Sequence, residues 1–434
     1  MMHGFAIKPF AMRLSAAAAA FMLWSAPAIA QTSYVHAGHL IDVEASVVRA
    51  DQIVRIVDGK VVSVGPWRGA PSDGPVVDWS TQWVLPGLID MHTHLAGDIQ
   101  GSGVADPLIS SEADDALAGA ANASRTLRAG FTSVRDVGSW RAFTDVALRN
   151  AINKGLIEGP RMAVVGAYIT APGGGGTITG LADDVGIPPS MTRGVVKDEA
   201  EMRDKARDIL RHKVDWLKLI ATGAVLTVGT EPGQPELTEA EMRIAVEEAK
   251  KYGVKVTAHA HGAEGAKMAI RAGVASIEHG SLLDAEALDM MKKAGVYLVA
   301  DIYNGDYIEE VATHDGWPEE TLRKNRETTD TQREVFRLAT KKGVKIAYGT
   351  DAGVYPNGLN ARQFRNMVKY GLTPMQAIQS ATLWAADLIG WPKQVGAIST
   401  GHWADMVAVS SDPLADITVL ENVSHVMKGG AVVR

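Results

Sequence analysis

The sequence predicts an α/β chain, a closed parallel barrel carrying a small β domain formed by both ends. Two patterns lead there. A long middle segment alternates apolar strands with amphipathic helices, and β-rich segments bracket it on both sides. A third observation locates the chemistry: histidines and an aspartate recur where the predicted strands stop. On pattern alone, a doubly wound open sheet is the rival arrangement.

The first thirty residues stand apart. Lys8 and Arg13 precede an apolar, alanine-rich run from Leu14 to Trp24, and Ala28-Ile29-Ala30 places small residues two apart before Gln31. This is the layout of a secretory signal peptide over 1–30, with periplasmic delivery as the expected destination. The apolar run is short for a membrane span, and Pro27 interrupts its end.

Residues 31–85 read as short strands. Ile53–Val57 and Val61–Val64 flank Asp58-Gly59-Lys60, a tight-hairpin signal. The segment 396–434 reads alike, with Asp405–Val409 and His425–Lys428 strand-like and Gly429-Gly430 as a turn. The barrel is expected over 86–395. Its eight strand candidates are Gly87–His92, Thr132–Val137, Arg161–Ile169, Trp216–Ile220, Val254–His259, Ser276–His279, Val296–Ile302 and Lys345–Gly349. Helical patterns such as Glu239–Lys251, Gly262–Ala272 and Asp284–Lys293 lie between them, and Gly253, Gly295 and Gly343 sit where helices should stop.

Composition narrows the chemistry. The 434 residues are 46% hydrophobic and 21% charged, an ordinary globular balance. A net charge of −7 implies no nucleic-acid partner. The absence of cysteine removes disulfides, thiolate zinc sites, iron–sulfur clusters and cysteine nucleophiles. Any metal must rest on His, Asp, Glu or a modified side chain. No G-x-S-x-G, P-loop or G-x-G-x-x-G pattern occurs.

Of twelve histidines, His36, His39, His212, His314, His402 and His425 read as surface or packing residues. His92 and His94 follow the first barrel strand, His259 and His261 the fifth, and His279 the sixth, while Asp351 follows the eighth. Histidines two apart on a strand point the same way, so one ion can bind both. Barrel strands end on one face, so positions spanning 260 residues converge. Lys218 lies in the apolar strand Trp216–Ile220 among these groups. Burial disfavours an ammonium there. A neutral lysine can instead capture carbon dioxide as a carbamate, an anionic two-oxygen ligand.

The ordered set Asp90-x-His92-x-His94, Lys218, His259-x-His261, Glu278-His279-Gly280 and Gly349-Thr350-Asp351 resembles the amidohydrolase superfamily. The nearest branch is the one described as imidazolonepropionase-like or Xaa-Pro-dipeptidase-like, which includes ochratoxin-hydrolysing enzymes. Leu85–Asp90, Gly371–Ile378 and Ala404-Asp405 extend the likeness over nearly all of the chain after residue 30. The resemblance implies a (β/α)8 barrel, a β-sandwich from both termini, and a binuclear zinc centre bridged by a carboxylated lysine. It assigns His92, His94 and Asp351 to one metal, His259 and His279 to the other, and Lys218 to both. His261 would contact the substrate carbonyl. Two departures fall on loops expected to line the pocket. The glycine run in 171–180 and Asn357 stand where relatives often carry histidine, and Gly173–Gly176 could serve as a lid.

The expected reaction is hydrolysis of an amide bond in a dipeptide or N-acyl amino acid, ochratoxin-type amides included. Two divalent metals activate a shared water. Asp351 acts as base and then acid. The alternatives are a lactonase or phosphotriesterase using the same centre, or a periplasmic ligand-binding protein with a degenerate site. Arg135, Arg161, Tyr303, Lys324 and Arg326 are candidate anchors for a substrate carboxylate. The expected partners are a small-molecule amide and further copies of the chain as a homo-oligomer, with no membrane contact after processing.

Overall fold

The computed structural model describes Met1, residues 31–97 and residues 105–434. The signal-peptide reading thus falls outside the described residues. Four strands open the described chain: β1 (Thr32–Asp42), β2 (Val47–Val57), β3 (Lys60–Pro66) and β4 (Val76–Pro86). Asp58 and Gly59 join β2 to β3 with φ of 49° and 74°, the positive values a two-residue hairpin turn demands.

Eight further strands lie in the middle: β5 (Leu88–Thr93), β6 (Phe131–Asp136), β7 (Arg161–Val164), β8 (Tyr168–Ile169), β9 (Trp216–Ile220), β10 (Lys255–Gly262), β11 (Ser276–Leu282) and β12 (Tyr297–Val299). β5–β7 form a parallel three-stranded sheet, and β8–β12 a parallel five-stranded one. The single strand expected over 161–169 is divided. Gly166 turns to φ 79°, and the backbone N–H groups of Val165 and Gly166 bond the Asp145 carboxylate, at 3.1 and 2.8 Å, instead of a neighbouring strand.

The eighth expected strand, Lys345–Gly349, and the residues just after it make isolated bridges rather than a ladder. Leu298 pairs with Ile346 and Thr93 with Ala352. Backbone bonds from Met91 to Tyr348 (2.8 Å) and from Ala347 to Leu298 (3.0 Å) place the segment between β12 and β5. Its ladder is interrupted because the Thr350 N–H bonds the Asp90 carboxylate (3.1 Å) and Asp351 turns to φ 57°.

Three short strands finish the chain: β13 (Met406–Val409), β14 (His425–Lys428) and β15 (Ala431–Val432). They join β1–β4 in one seven-stranded sheet of order β15-β14-β13-β4-β1-β2-β3, so the two ends share a sheet. The sheet curls until β3 meets the segment before β13, where Val61 N–H donates to His402 O at 2.9 Å. Val35, Val54, Ile56, Trp79, Val84 and Met406 form the core between its arms.

The helices carry the expected signals. Glu239–Lys251 starts on a reciprocal cap between Thr238 and Glu241. Gly295 and Gly343 stop their helices with φ near 70°. The main core packs these helices on the parallel strands through residues such as Phe131, Val134, Leu217, Ile277 and Phe336. A second cluster gathers Ile89, Met91, Ala163, Trp216, Val299 and Ala347 from five strand segments.

Candidate metal centre

Parallel pairing brings the strand ends to one rim. The register sets His259 on β10 opposite Glu278 on β11, and Ala260 opposite His279. His92 lies on β5, His94 just beyond it, Lys218 on β9, His259 and His261 on β10, and Asp351 in the bridging segment. All are buried and line one cavity. Ligand-capable atoms of His92, His94 and Asp351 lie within 4.8 Å of one another, and so do those of His259, His261 and His279. A third group, His279, Asp301 and Asp351, links the two. His279 and Asp351 both hold positive φ, 68° and 57°, strain of the kind stored at functional sites.

The second nitrogen of most rings is already committed. His92 Nδ1 bonds Glu278 Oε2 at 2.8 Å and His94 Nδ1 donates to Gly138 O at 2.6 Å. Their Nε2 atoms then stand 3.2 and 3.1 Å from Asp351 Oδ1. His259 Nε2 donates to Gly223 O at 3.2 Å, leaving Nδ1 free. His261 Nδ1 pairs with Ser281 Oγ at 2.8 Å. Asp351 Oδ1 and His279 Nδ1 are buried with no aligned hydrogen-bond partner. Ring nitrogens and carboxylate oxygens gathered this closely around orphaned atoms fit divalent cations.

Electrostatics agree with that donor set. Burial holds His259 well below the usual imidazole range and brings His261 to about 3, so both stay neutral, as ligands or hydrogen-bond partners must. Burial lowers Lys218 to about 8, and its Nζ makes no hydrogen bond or ion pair among the described residues. For Asp351 burial alone would favour the neutral acid, but His92 and His94 outweigh it and hold the carboxyl well below its ordinary value. Asp90 sits behind the cluster. Its carboxylate accepts from the Thr350 hydroxyl (2.5 Å) and Asn360 Nδ2 (2.8 Å), which ties β5 to the Asp351 segment, and burial raises it to about 6.

Several expectations need correction. None of the proposed carboxylate anchors lines the cavity. Arg135 is fully buried and spent on Glu278 (2.7 Å). Arg161 pairs with Asp405 (3.1 Å) of the terminal sheet, and Arg326 with Glu309 (3.0 Å) on the surface. Lys324 is buried between Thr227 O (2.8 Å) and Glu320 (2.5 Å). Tyr303 accepts from Arg362 (3.0 Å). Asn357 also misses the cavity: it is buried, and its Nδ2 holds His94 O at 3.3 Å.

The glycine run does reach the cavity, but it is tied down. Gly175 N–H donates to Glu236 (2.8 Å), and Gly175 O accepts from Thr227 (2.7 Å). A Cβ at Gly174 would come within 2.4 Å of Glu236 Oε2. Away from the histidines the lining mixes apolar side chains, among them Trp140, Ile178, Leu226, Ile308, Trp317 and Val354, with threonines such as Thr177, Thr179 and Thr321. Four of the histidines set aside stack on rings outside the centre: His36 on Trp67, His39 on Trp83, His425 on Trp79 and His212 on Phe143.

The reading of the sequence missed Asp301, Asn304 and Gln332, and gave Glu278 no role. Asp301 carried a usable signal, since it lies near the end of the seventh expected strand just as Asp351 lies beyond the eighth. Asn304 and Gln332 carried none, because neither type is diagnostic and Gln332 belongs to the helix Glu319–Lys342.

Comparison with known proteins gives the chain its relatives. A Xaa-Pro dipeptidase crystallised with methionine in its active site is 36% identical, with a TM-score of 0.88, covering 93% of this chain and 100% of that one. The crystal structure of the Aspergillus niger ochratoxinase superposes with a TM-score of 0.83, covering 94% of this chain and 96% of that one. By sequence that ochratoxinase is 32% identical over 432 residues, 92% of this chain and 86% of its own. An imidazolonepropionase of Acidiphilium cryptum is 27% identical over 389 residues, 83% of this chain and 87% of its own. The model of the Amidohydrolase family matches residues 83–433, and the chain belongs to that family.

Proposed function

We propose that this hydrolase cleaves the amide bond of N-acyl amino acids or dipeptides, ochratoxin-type amides included, at a centre of two divalent ions, zinc in the simplest case. The observation that carries the reading is the convergence of two ligand triads on one cavity that also holds an unpaired lysine. His92, His94 and Asp351 would hold one ion, and His259 and His279 the other. Lys218 would bridge them as a carbamate: its neutral amine adds to the carbon of carbon dioxide, a C–N bond forms, and one proton leaves. Its burial without an ion pair supports that state.

When bound, the ions lower the pKa of a coordinated water and polarise the scissile carbonyl. Asp351 accepts the proton of the attacking water and delivers it to the leaving nitrogen. With the Ser281 hydroxyl as donor in its 2.8 Å bond to Nδ1, the His261 proton would sit on Nε2, where it can bond the substrate carbonyl oxygen. No arginine lines the cavity among the described residues, and the apolar side chains of Trp140, Ile178, Leu226, Ile308 and Trp317 orient the acyl group.

On this reading the two parallel sheets and residues 345–352 act as one closed (β/α)8 barrel over 86–395, and 31–85 with 396–434 as the β-sandwich. Residues 1–30 direct the chain through the inner membrane to the periplasm, where it acts as a homo-oligomer. The test is a hydrolysis panel on metal-loaded protein. Aromatic N-acyl amino acids should exceed N-acetyl ones in kcat/KM by at least about tenfold, the worth of about 1.4 kcal/mol of apolar contact. Turnover should vanish with a chelator. Equal rates for both acyl classes would contradict the apolar-wall assignment, and preference for lactones or phosphotriesters would contradict amide cleavage.

A further inference from the structure

His279 differs from the other ring ligands in one respect. If its Nε2 takes an ion, the ring proton must sit on Nδ1, and a buried N–H needs an acceptor. Among the described residues Nδ1 has no aligned partner, and Asp301 Oδ2 lies 3.1 Å away. Asp301 is buried and held on both oxygens. Gln332 Nε2 donates to Oδ1 at 2.8 Å, and Asn304 Nδ2 donates to Oδ2 at 2.7 Å. The same Asn304 amide donates to Asp351 Oδ2 at 3.0 Å. Gln332 also reaches His279 O at 3.3 Å.

The frame therefore fixes a carboxylate 3.1 Å from His279 Nδ1, a buried ring nitrogen with no aligned partner among the described residues. It also links that carboxylate through a single amide to Asp351 in the other triad. Both oxygens of Asp301 are spent on amide donors, which suits an acceptor better than a direct ligand.

We propose that Asp301 is a positioning residue for the second ion, accepting the Nδ1 proton of His279 so that Nε2 faces the metal, with Asn304 and Gln332 holding it in place. Asp301 lies outside the ligand set implied by the family resemblance. The proposal rests on the paired-ion reading, and the test separates the two.

Metal affinities are measured by chelator competition on the full chain, with the visible spectrum of cobalt-loaded protein reporting each site. Wild type should bind two ions. Asp301→Asn keeps the shape and the holding amides' neighbour but loses the charge. It should weaken one ion by about 10- to 100-fold and shift that site's cobalt bands, leaving the other ion within about twofold. Gln332→Met, which removes one hold on Asp301 from the long helix, should weaken the same ion several-fold and serves if the first variant does not fold. Unchanged affinity and spectrum in a folded variant of either kind would overturn the role of Asp301 while the paired centre stands. Failure of wild type to bind a second ion would instead overturn the paired centre, and this role with it.

Discussion

Two buried histidine–carboxylate pairs face each other across the centre, and they are finished differently. In the first, Glu278 bonds His92 and is closed off behind by Arg135 (2.7 Å), Ser276 (2.8 Å) and Thr257. Burial opposes its charge, but Arg135, His92 and Lys218 together outweigh that and hold the carboxyl below its usual range. In the second, Asp301 lies 3.1 Å from His279 Nδ1 and is held by the neutral amides of Asn304 and Gln332, with no arginine or lysine paired to it among the described residues. One carboxylate is balanced by a cation of the protein itself. The other has a ring and two amides around it. On the proposed reading the first pair belongs to folding and the second to metal binding.

The sharpest way to break that distinction is to remove the built-in cation. Arg135→Met should destabilise the metal-free protein by roughly 3–5 kcal/mol, because Glu278 is left charged in the interior without its arginine counter-ion. Pairing it with Glu278→Gln should recover most of the loss. Denaturant unfolding of the metal-free single and double variants measures both. A loss below about 1 kcal/mol in Arg135→Met would show that Glu278 does not depend on its arginine.

A smaller effect is expected where a buried carboxylate is balanced by cations that reach the surface. Glu248 is met by Lys251 (2.7 Å), Arg207 (3.1 Å) and Arg203 (2.5 Å), and its pKa falls from 4.5 to about 2, with the Lys251 bond the largest cause. The folded-state value is depressed, so its stabilisation is complete above about 4.5 and disappears as pH falls through about 2. Its partners are 38–55% exposed, so Glu248→Gln should cost only about 1 kcal/mol at pH 6. The gap to wild type should close between pH 4.5 and 2. A gap that persists at pH 2 would mean the carboxylate's charge is not its source.

Much of this was legible in the sequence because the signals are local. Trp216–Ile220 and Glu239–Lys251 emerge with the expected bounds, since each is a clean apolar run or an amphipathic turn pattern with a cap. Strand-end histidines were equally readable, because side-chain alternation aims His92 and His94 alike. The break at Gly166 was not, since it depends on Asp145, twenty residues earlier, taking two backbone bonds. Nor was the fate of Arg135: a strand arginine reads as a solvated or ligand-facing charge until the fold sets Glu278 beside it, 143 residues away. Asn304 and Gln332 gain meaning only from the carboxylate that they hold.

The paired centre bridged by Lys218 is the claim on which the rest stands, and the metal content of purified wild type beside Lys218→Ala tests it most directly. Elemental analysis after loading with zinc and bicarbonate, then desalting, should find two ions per wild-type chain and fewer than one in the variant. Both should show the same far-ultraviolet circular dichroism. Two ions retained by Lys218→Ala would contradict the bridge, and one or none in wild type would contradict the pair.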